Sequence, residues 1–157
     1  MQPSVLQLER SFFRRIELTA SPTANAVPPQ LIEADVSSGR AAENPLRYQV
    51  TLVVRLVESN GKESGYKGEV EVVGLFTISD SILEKDRDQI VSVHGSSLLF
   101  GMAREMISNI TARGPWPMFV LPTVTFQDLI QAPLTTSSSA SDVRSRLGQG
   151  REQNVAR

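Results

Sequence analysis

Cysteine is absent from the chain, histidine and tryptophan occur once each, and aromatic residues make up 6% of 157 positions. Without cysteine there are no disulfides and no thiolate metal sites, which fits a reducing compartment. The single histidine, His94, precedes Gly95 and reads as a turn or helix-end residue rather than a general base. Neither a glycine-rich phosphate loop nor a metal-ligand spacing occurs. No cofactor and no metal are therefore expected, and the chain does not read as an enzyme. No apolar run approaches the ~20 residues that cross a bilayer. The opening MQPSVLQLERSFFRR also lacks the basic-then-apolar order of a signal peptide. Direct membrane insertion is not expected, and a cytoplasmic location is. Neither sign of charge dominates: 16 basic against 17 acidic residues leave a net charge of −1. Nucleic acid, which needs a concentrated basic surface, is not an expected partner.

Hydrophobic residues are plentiful, at 40% of the chain, and the length suits one globular domain, placed at residues 1–132. From Pro133 onward the text reads PLTTSSSASDVRSRLGQGREQNVAR. Its apolar side chains are too few to offset the entropy of ordering a backbone, so residues 133–157 are expected to form a disordered, mildly basic tail. A second loose stretch, Ala20 to Pro45, is rich in Ala, Pro, Ser and Asn yet holds Val27, Leu31 and Ile32. It reads as a long loop, and such loops are often functional.

Three segments alternate with period two, the apolar residues falling on even numbers. The first carries Leu6, Leu8, Phe12, Ile16 and Leu18. The second carries Tyr48, Val50, Leu52, Val54 and Leu56, and the third Tyr66, Val70, Val72, Phe76 and Ile78. Asn60-Gly61 between the second and third is a strong hairpin signal, since both residues tolerate positive φ. Arg10 and Arg14 interrupt the first segment and mark it as an edge strand. The period then changes. Leu99, Phe100, Met102, Ala103, Met106, Ile107 and Ile110 gather on one wide helical arc, and Gly114-Pro115 ends that helix. A shorter helix is expected within Asp80–Val93, capped by Asp80 or Ser81, and a last one at Thr125–Gln131. Strands followed by helices give an α+β fold with the helices on one face of the sheet.

After the long helix comes ARGPWPMFVLPTVTF, residues 112–126. Its prolines forbid both a helix and a central strand, yet it carries Trp116, Met118, Phe119 and Leu121. A domain this size has too little interior for all its apolar side chains. Self-association, or a groove filled by a partner, is the expected remedy.

The order GLFTI (74–78), LLFGMARE (98–105) and ARGPWPMFVLPTVTFQDLI (112–130) resembles that of the SecB family of protein-export chaperones. What the resemblance implies is a four-stranded antiparallel Greek-key sheet with helices packed on one face. It also implies a homotetramer, a dimer of dimers, that holds unfolded precursor proteins in apolar grooves and passes them to the translocation motor SecA for export. A SecB-like chaperone dedicated to another partner, such as an antitoxin of a toxin–antitoxin pair, is the alternative. The client-binding candidates are Val27, Leu31, Ile32, Trp116, Met118, Phe119, Leu121, Phe126, Leu129 and Ile130, for each of which ordinary core packing is the competing role. Oligomer-interface candidates are Phe12, Phe13, Val70, Val72, Phe100, Met102, Met106 and Ile110. The positions matching the family's acidic motor-docking surface are Arg15, Thr19, Lys67 and Glu69, of which only Glu69 keeps the acidic sign.

Overall fold

The computed structural model describes residues 3–22, 31–58 and 63–127. Four strands, β1 (Leu6–Ala20), β2 (Leu31–Ala41), β3 (Asn44–Val57) and β4 (Tyr66–Ile78), form one antiparallel sheet in the order β1-β4-β3-β2. β2, β3 and β4 follow one another as a meander, while β1 starts at the opposite edge beside β4, which is a Greek-key arrangement. The strand missing from the periodicity is β2. It occupies the second half of the stretch read as a loop, so that reading is corrected. Its Ala34, Ser37, Ser38 and Gly39 are weak strand formers, and pairing with β3 from Leu31↔Val57 to Arg40↔Tyr48 supplies the order that propensity does not. The Asn60-Gly61 turn and the tail 133–157 lie outside the described residues.

α1 (Glu84–Ile90) continues through a π-helical turn (Val91–Gly95) into α2 (Ser96–Thr111). The two expected helices are thus one rod. The rod is capped at Leu83 without a side-chain bond, and Asp80 and Ser81 lie upstream in a turn, where Arg87 Nε instead ties the Ile82 carbonyl at 2.9 Å. The front of the rod is clamped to the sheet. Arg40 of β2 reaches Glu84 and Asp88, each at 2.9 Å, and the Tyr48 hydroxyl donates to Asp88 at 2.8 Å. Burial, then the Asp88 carboxylate, push the Tyr48 phenol above its ordinary range.

α2 lies over β3 and β4. Val50, Leu52, Val54, Val70, Val72 and Phe76 meet Leu99, Ala103 and Ile107 from above, all of them buried. Each of these Val, Leu, Ile and Phe side chains stabilises by ~1.5–3 kcal/mol.

β1 departs from strict alternation. Register shifts at Glu9 and Arg14 each insert one residue, and two bulges swap the faces between them. Leu6 and Leu8 face the helix side, beside Ile78 and Phe76, but Phe13, not Phe12, then pairs with the buried Val72. Phe12 stands on the outer face beside Val73, with the Arg10 guanidinium 5.7 Å from its ring centre. The even-numbered reading of this strand is corrected accordingly.

One glycine is indispensable to the β1–β4 pair. Gly68 has φ 143°, and a Cβ there would lie 1.8 Å from the Glu17 carbonyl oxygen. Gly68→Ala is expected to cost at least about 2 kcal/mol in urea unfolding at fixed protein concentration. Gly39→Ala, where an added Cβ meets nothing within 4 Å, should stay within about 0.5 kcal/mol.

Candidate functional site

One end of the sheet collects the end of β1, the start of β2, the end of β3 and the start of β4, because Ala20 pairs with Tyr66 and Leu31 with Val57. The C-terminus of α2 arrives at the same end, where the Tyr66 hydroxyl lies 3.0 Å from the Thr111 carbonyl oxygen. From there residues 114–126 run back along α2. The Phe119 N–H donates to Thr111 Oγ1 at 3.0 Å, Ser108 Oγ donates to the Phe119 carbonyl at 3.3 Å, and Phe126 sets its ring edge-on to Phe100 at 5.7 Å. The proline-rich segment is therefore an extended strap along one flank of the helix.

The strap has an inner and an outer set of side chains. Leu121 and Phe126 are buried in the core, and Trp116 and Phe119 pack half-buried against it. Met118, Val120 and Val124 point outward, 57%, 42% and 39% exposed. Of the client-binding candidates, Met118 thus presents a free apolar surface, whereas Leu121 and Phe126 are pegs that hold the strap down. Val120 and Val124 were not among the client-binding candidates, although the alternation about Leu121 points to them. Ile32 packs half-buried from β2, and Leu31 stands beside it on the strand. Val27, Leu129 and Ile130 lie outside the described residues, as does most of the last expected helix.

The opposite flank of α2 is bare. Leu98, Met102, Met106 and Ile110 recur every fourth residue and form a ridge along the helix. Leu98 is 49% exposed, and the other three are half-buried. Beside this ridge an open trough of about 520 Å³ is lined by Leu18, Ala20, Tyr66, Met106, Ile110 and Gly114, among others. Leu8 and Ile16 of β1 continue the apolar surface on the same side of the sheet, both uncovered. Of the interface candidates, Met102, Met106 and Ile110 belong to this surface and Phe12 to the outer face. Val70 and Val72 are buried under α2, Phe100 is buried on α2 itself against Phe126 of the strap, and Phe13 packs half-buried against the core, so within the protomer these four are core positions.

The outer face of the sheet is a lattice of ion pairs. Arg14 meets Glu71 at 2.7 Å, Arg15 meets Glu69 at 3.1 Å, and Arg55 bridges Glu69 at 2.7 Å and Asp35. Arg47 binds Glu9 at 2.7 Å, and that bond, with Thr77 donating as well, holds the Glu9 carboxyl below its ordinary range. Arg15 and Glu69, two of the motor-docking positions, are thus partners of each other. Lys67 pairs with Glu58 at 3.6 Å, and Thr19 stands opposite Lys67 in the sheet.

The sequence profile described as Preprotein translocase subunit SecB matches residues 2–137. A protein-export protein SecB of Psychrobacter arcticus is 34% identical over 95 residues, which cover 60% of this chain and 64% of that protein, less than two thirds of its length. A second, from Alcanivorax borkumensis, is 27% identical over 137 residues, covering 83% and 86%. Among solved structures, a Mycobacterium tuberculosis SecB-like chaperone in complex with a ChAD peptide from the HigA1 antitoxin superposes with a TM-score of 0.50. It is 16% identical, and the match covers 76% of this chain and 91% of that one. At that identity the likeness is one of fold.

Proposed function

This chain belongs to the SecB family, and on that premise we propose that it is an ATP-independent holdase that binds unfolded precursor proteins and delivers them for export. The observation that carries this reading is the strap. Met118, Val120 and Val124 stand out from a backbone pinned beneath them, which offers apolar side chains to a client without a wall that can itself unfold. Methionine and valine on a strap whose residues 114–126 include no charged side chain suit many client sequences, and several weak patches acting together give useful avidity. The work is done in the cytoplasm.

The bare flank of α2 is assigned to other copies of the chain, in a homotetramer built as a dimer of dimers. A ridge repeating every four residues is the form in which one helix seats against another. Gly101, mid-helix, supports this reading, since a Cβ there would meet nothing within 4 Å. A helical glycine costs roughly 1 kcal/mol relative to alanine, a cost that close approach of a second helix would offset.

A second reading, a chaperone dedicated to a partner other than SecA, is favoured by the outer face. Glu69 and Glu71 are each within 3.1 Å of an arginine, so little uncompensated negative charge is left for a basic docking site. A Mycobacterium tuberculosis relative in fold binds an antitoxin peptide, and a partner of that kind is the model for this reading.

Three outcomes test these assignments. Stoichiometric tetramer should suppress aggregation of an unfolded model protein without nucleotide, and Met118→Ser with Val120→Ser should weaken that suppression severalfold while shifting stability by less than about 1 kcal/mol. Loss of folding in this double variant would show that the strap's outer side chains are structural. Met106→Glu should lower the native mass from tetramer toward dimer or monomer while far-UV circular dichroism is retained; an unchanged mass would remove the ridge from the interface. Capture by immobilised SecA at low salt that disappears at moderate salt supports export, and absence of capture at both supports the dedicated partner.

A further inference from the structure

We infer that the Tyr66 hydroxyl is a positioning group for the client wall: it holds the strap in its binding course without touching the client. This inference rests on the strap being the client surface. The Tyr66 ring opens β4 and is 4% exposed, and a phenyl group would fill that place equally well. The hydroxyl does something else. It lies 2.8 Å from the Trp116 carbonyl and 3.0 Å from the Thr111 carbonyl, and it accepts the Trp116 N–H at 3.1 Å.

A phenol has one proton to donate and lone pairs to accept with. Here the proton is shared between the Thr111 carbonyl in the last turn of α2, which also accepts the Gly114 N–H at 3.1 Å, and the Trp116 carbonyl of the strap. The acceptor side takes the strap's own N–H. Gly114 permits this approach, since a Cβ there would lie 2.4 Å from the hydroxyl oxygen. Any other residue would push the strap away.

The prolines make the bond consequential. Pro115 and Pro117 carry no N–H, so from 115 to 119 only Trp116, Met118 and Phe119 can donate from the backbone. Two of those three donors end on the Tyr66 and Thr111 hydroxyls. The indole closes the arrangement: Trp116 Nε1 donates to the Ser21 carbonyl at 2.9 Å, and the Ser21 N–H donates to the Gly65 carbonyl at 2.9 Å. Strap, end of β1 and start of β4 are thereby joined through one residue. If the clasp opens, Met118 and Val120 lose their fixed outward direction, and a client meets the competent course only part of the time, with affinity reduced in proportion.

The experiment compares Tyr66→Phe with the unaltered full-length chain. A dansyl-labelled, unstructured 20-residue peptide rich in Leu and Phe is the probe, and Trp116, the only tryptophan, is the internal reporter. The variant should keep its far-UV circular dichroism, red-shift the tryptophan emission, raise acrylamide quenching and bind the peptide roughly five- to tenfold more weakly, the scale of one ordinary hydrogen bond. Val72→Ala, a core change remote from the hydroxyl, should lower the thermal midpoint yet keep the peptide affinity, which a merely structural role for Tyr66 would not separate. Should Tyr66→Phe not fold, Trp116→Phe, which deletes the indole bond to Ser21, carries the affinity measurement and the same weakening is expected. Peptide affinity within twofold of the unaltered chain overturns the clasp. Absence of peptide binding by the unaltered chain overturns the chaperone reading itself, and it is seen before any variant is compared.

Discussion

A sheet has two faces and four strands, and α2, the long part of the helical rod, lies mainly over the middle pair on one side. The rest of the molecule is shaped by that shortfall. β3 and β4 are sealed by Leu99, Ala103 and Ile107, while β1 and the Met106 flank of α2 are left half-wet. Exposed apolar area of this extent is unfavourable in a lone protomer, at ~25 cal/mol per Å² not removed from water. The chain leaves it open on one flank and lays the strap over the other, so the two sides of one helix have different surroundings.

The strap is a solution to a conflict between apolar content and backbone polarity. A segment rich in Trp, Met, Phe and Leu seeks the core, but irregular backbone taken there brings N–H and C=O groups that need partners. Proline deletes some of the donors. Side-chain hydroxyls from fixed elements, Tyr66 on β4 and Thr111 on α2, receive the N–H groups of Trp116 and Phe119. Thr111 Oγ1 also back-bonds to the Ile107 carbonyl at 2.8 Å, which suits a residue that must both close a helix and anchor the strap beyond it. Rigid elements thus impose order on a stretch with no ladder of its own, and its outward side chains stay available.

How far this was legible in the sequence depends on which force sets each element. β3, β4 and α2 are set by apolar period, and Val50–Leu56, Val70–Ile78 and Leu99–Ile110 announce them. The edge status of β1 was equally plain from Arg10 and Arg14. β2 was hidden because Ala34, Ser37, Ser38 and Gly39 become strand only by pairing with β3. The bulges at Glu9 and Arg14 could not be read from alternation, and they decide whether Phe12 or Phe13 joins the core. In the strap, composition marked the apolar residues but not their direction. Leu121 and Phe126 turn inward because the strap doubles back along α2, a tertiary fact that no local pattern encodes. Tyr66 looked like one more apolar residue on an even-numbered face; its hydroxyl gained meaning only when Thr111 and Trp116 were brought to it.

The outer face shows the same economy in electrostatics. A carboxylate that meets a guanidinium at 2.7–3.1 Å presents a partner with a small dipole rather than a charge, and its field fades faster than the ~8 Å screening length of physiological salt would allow a bare charge. Long-range steering of a basic protein to this surface is correspondingly weak. What the face does present at short range is Phe12 and the half-buried Leu75 and Val53 among paired charges. A partner docking there would be selected by shape and by displacement of one arginine from its carboxylate. A guanidinium brought to Glu69 would have to compete with both Arg15 and Arg55, and that competition would make the surface selective rather than sticky.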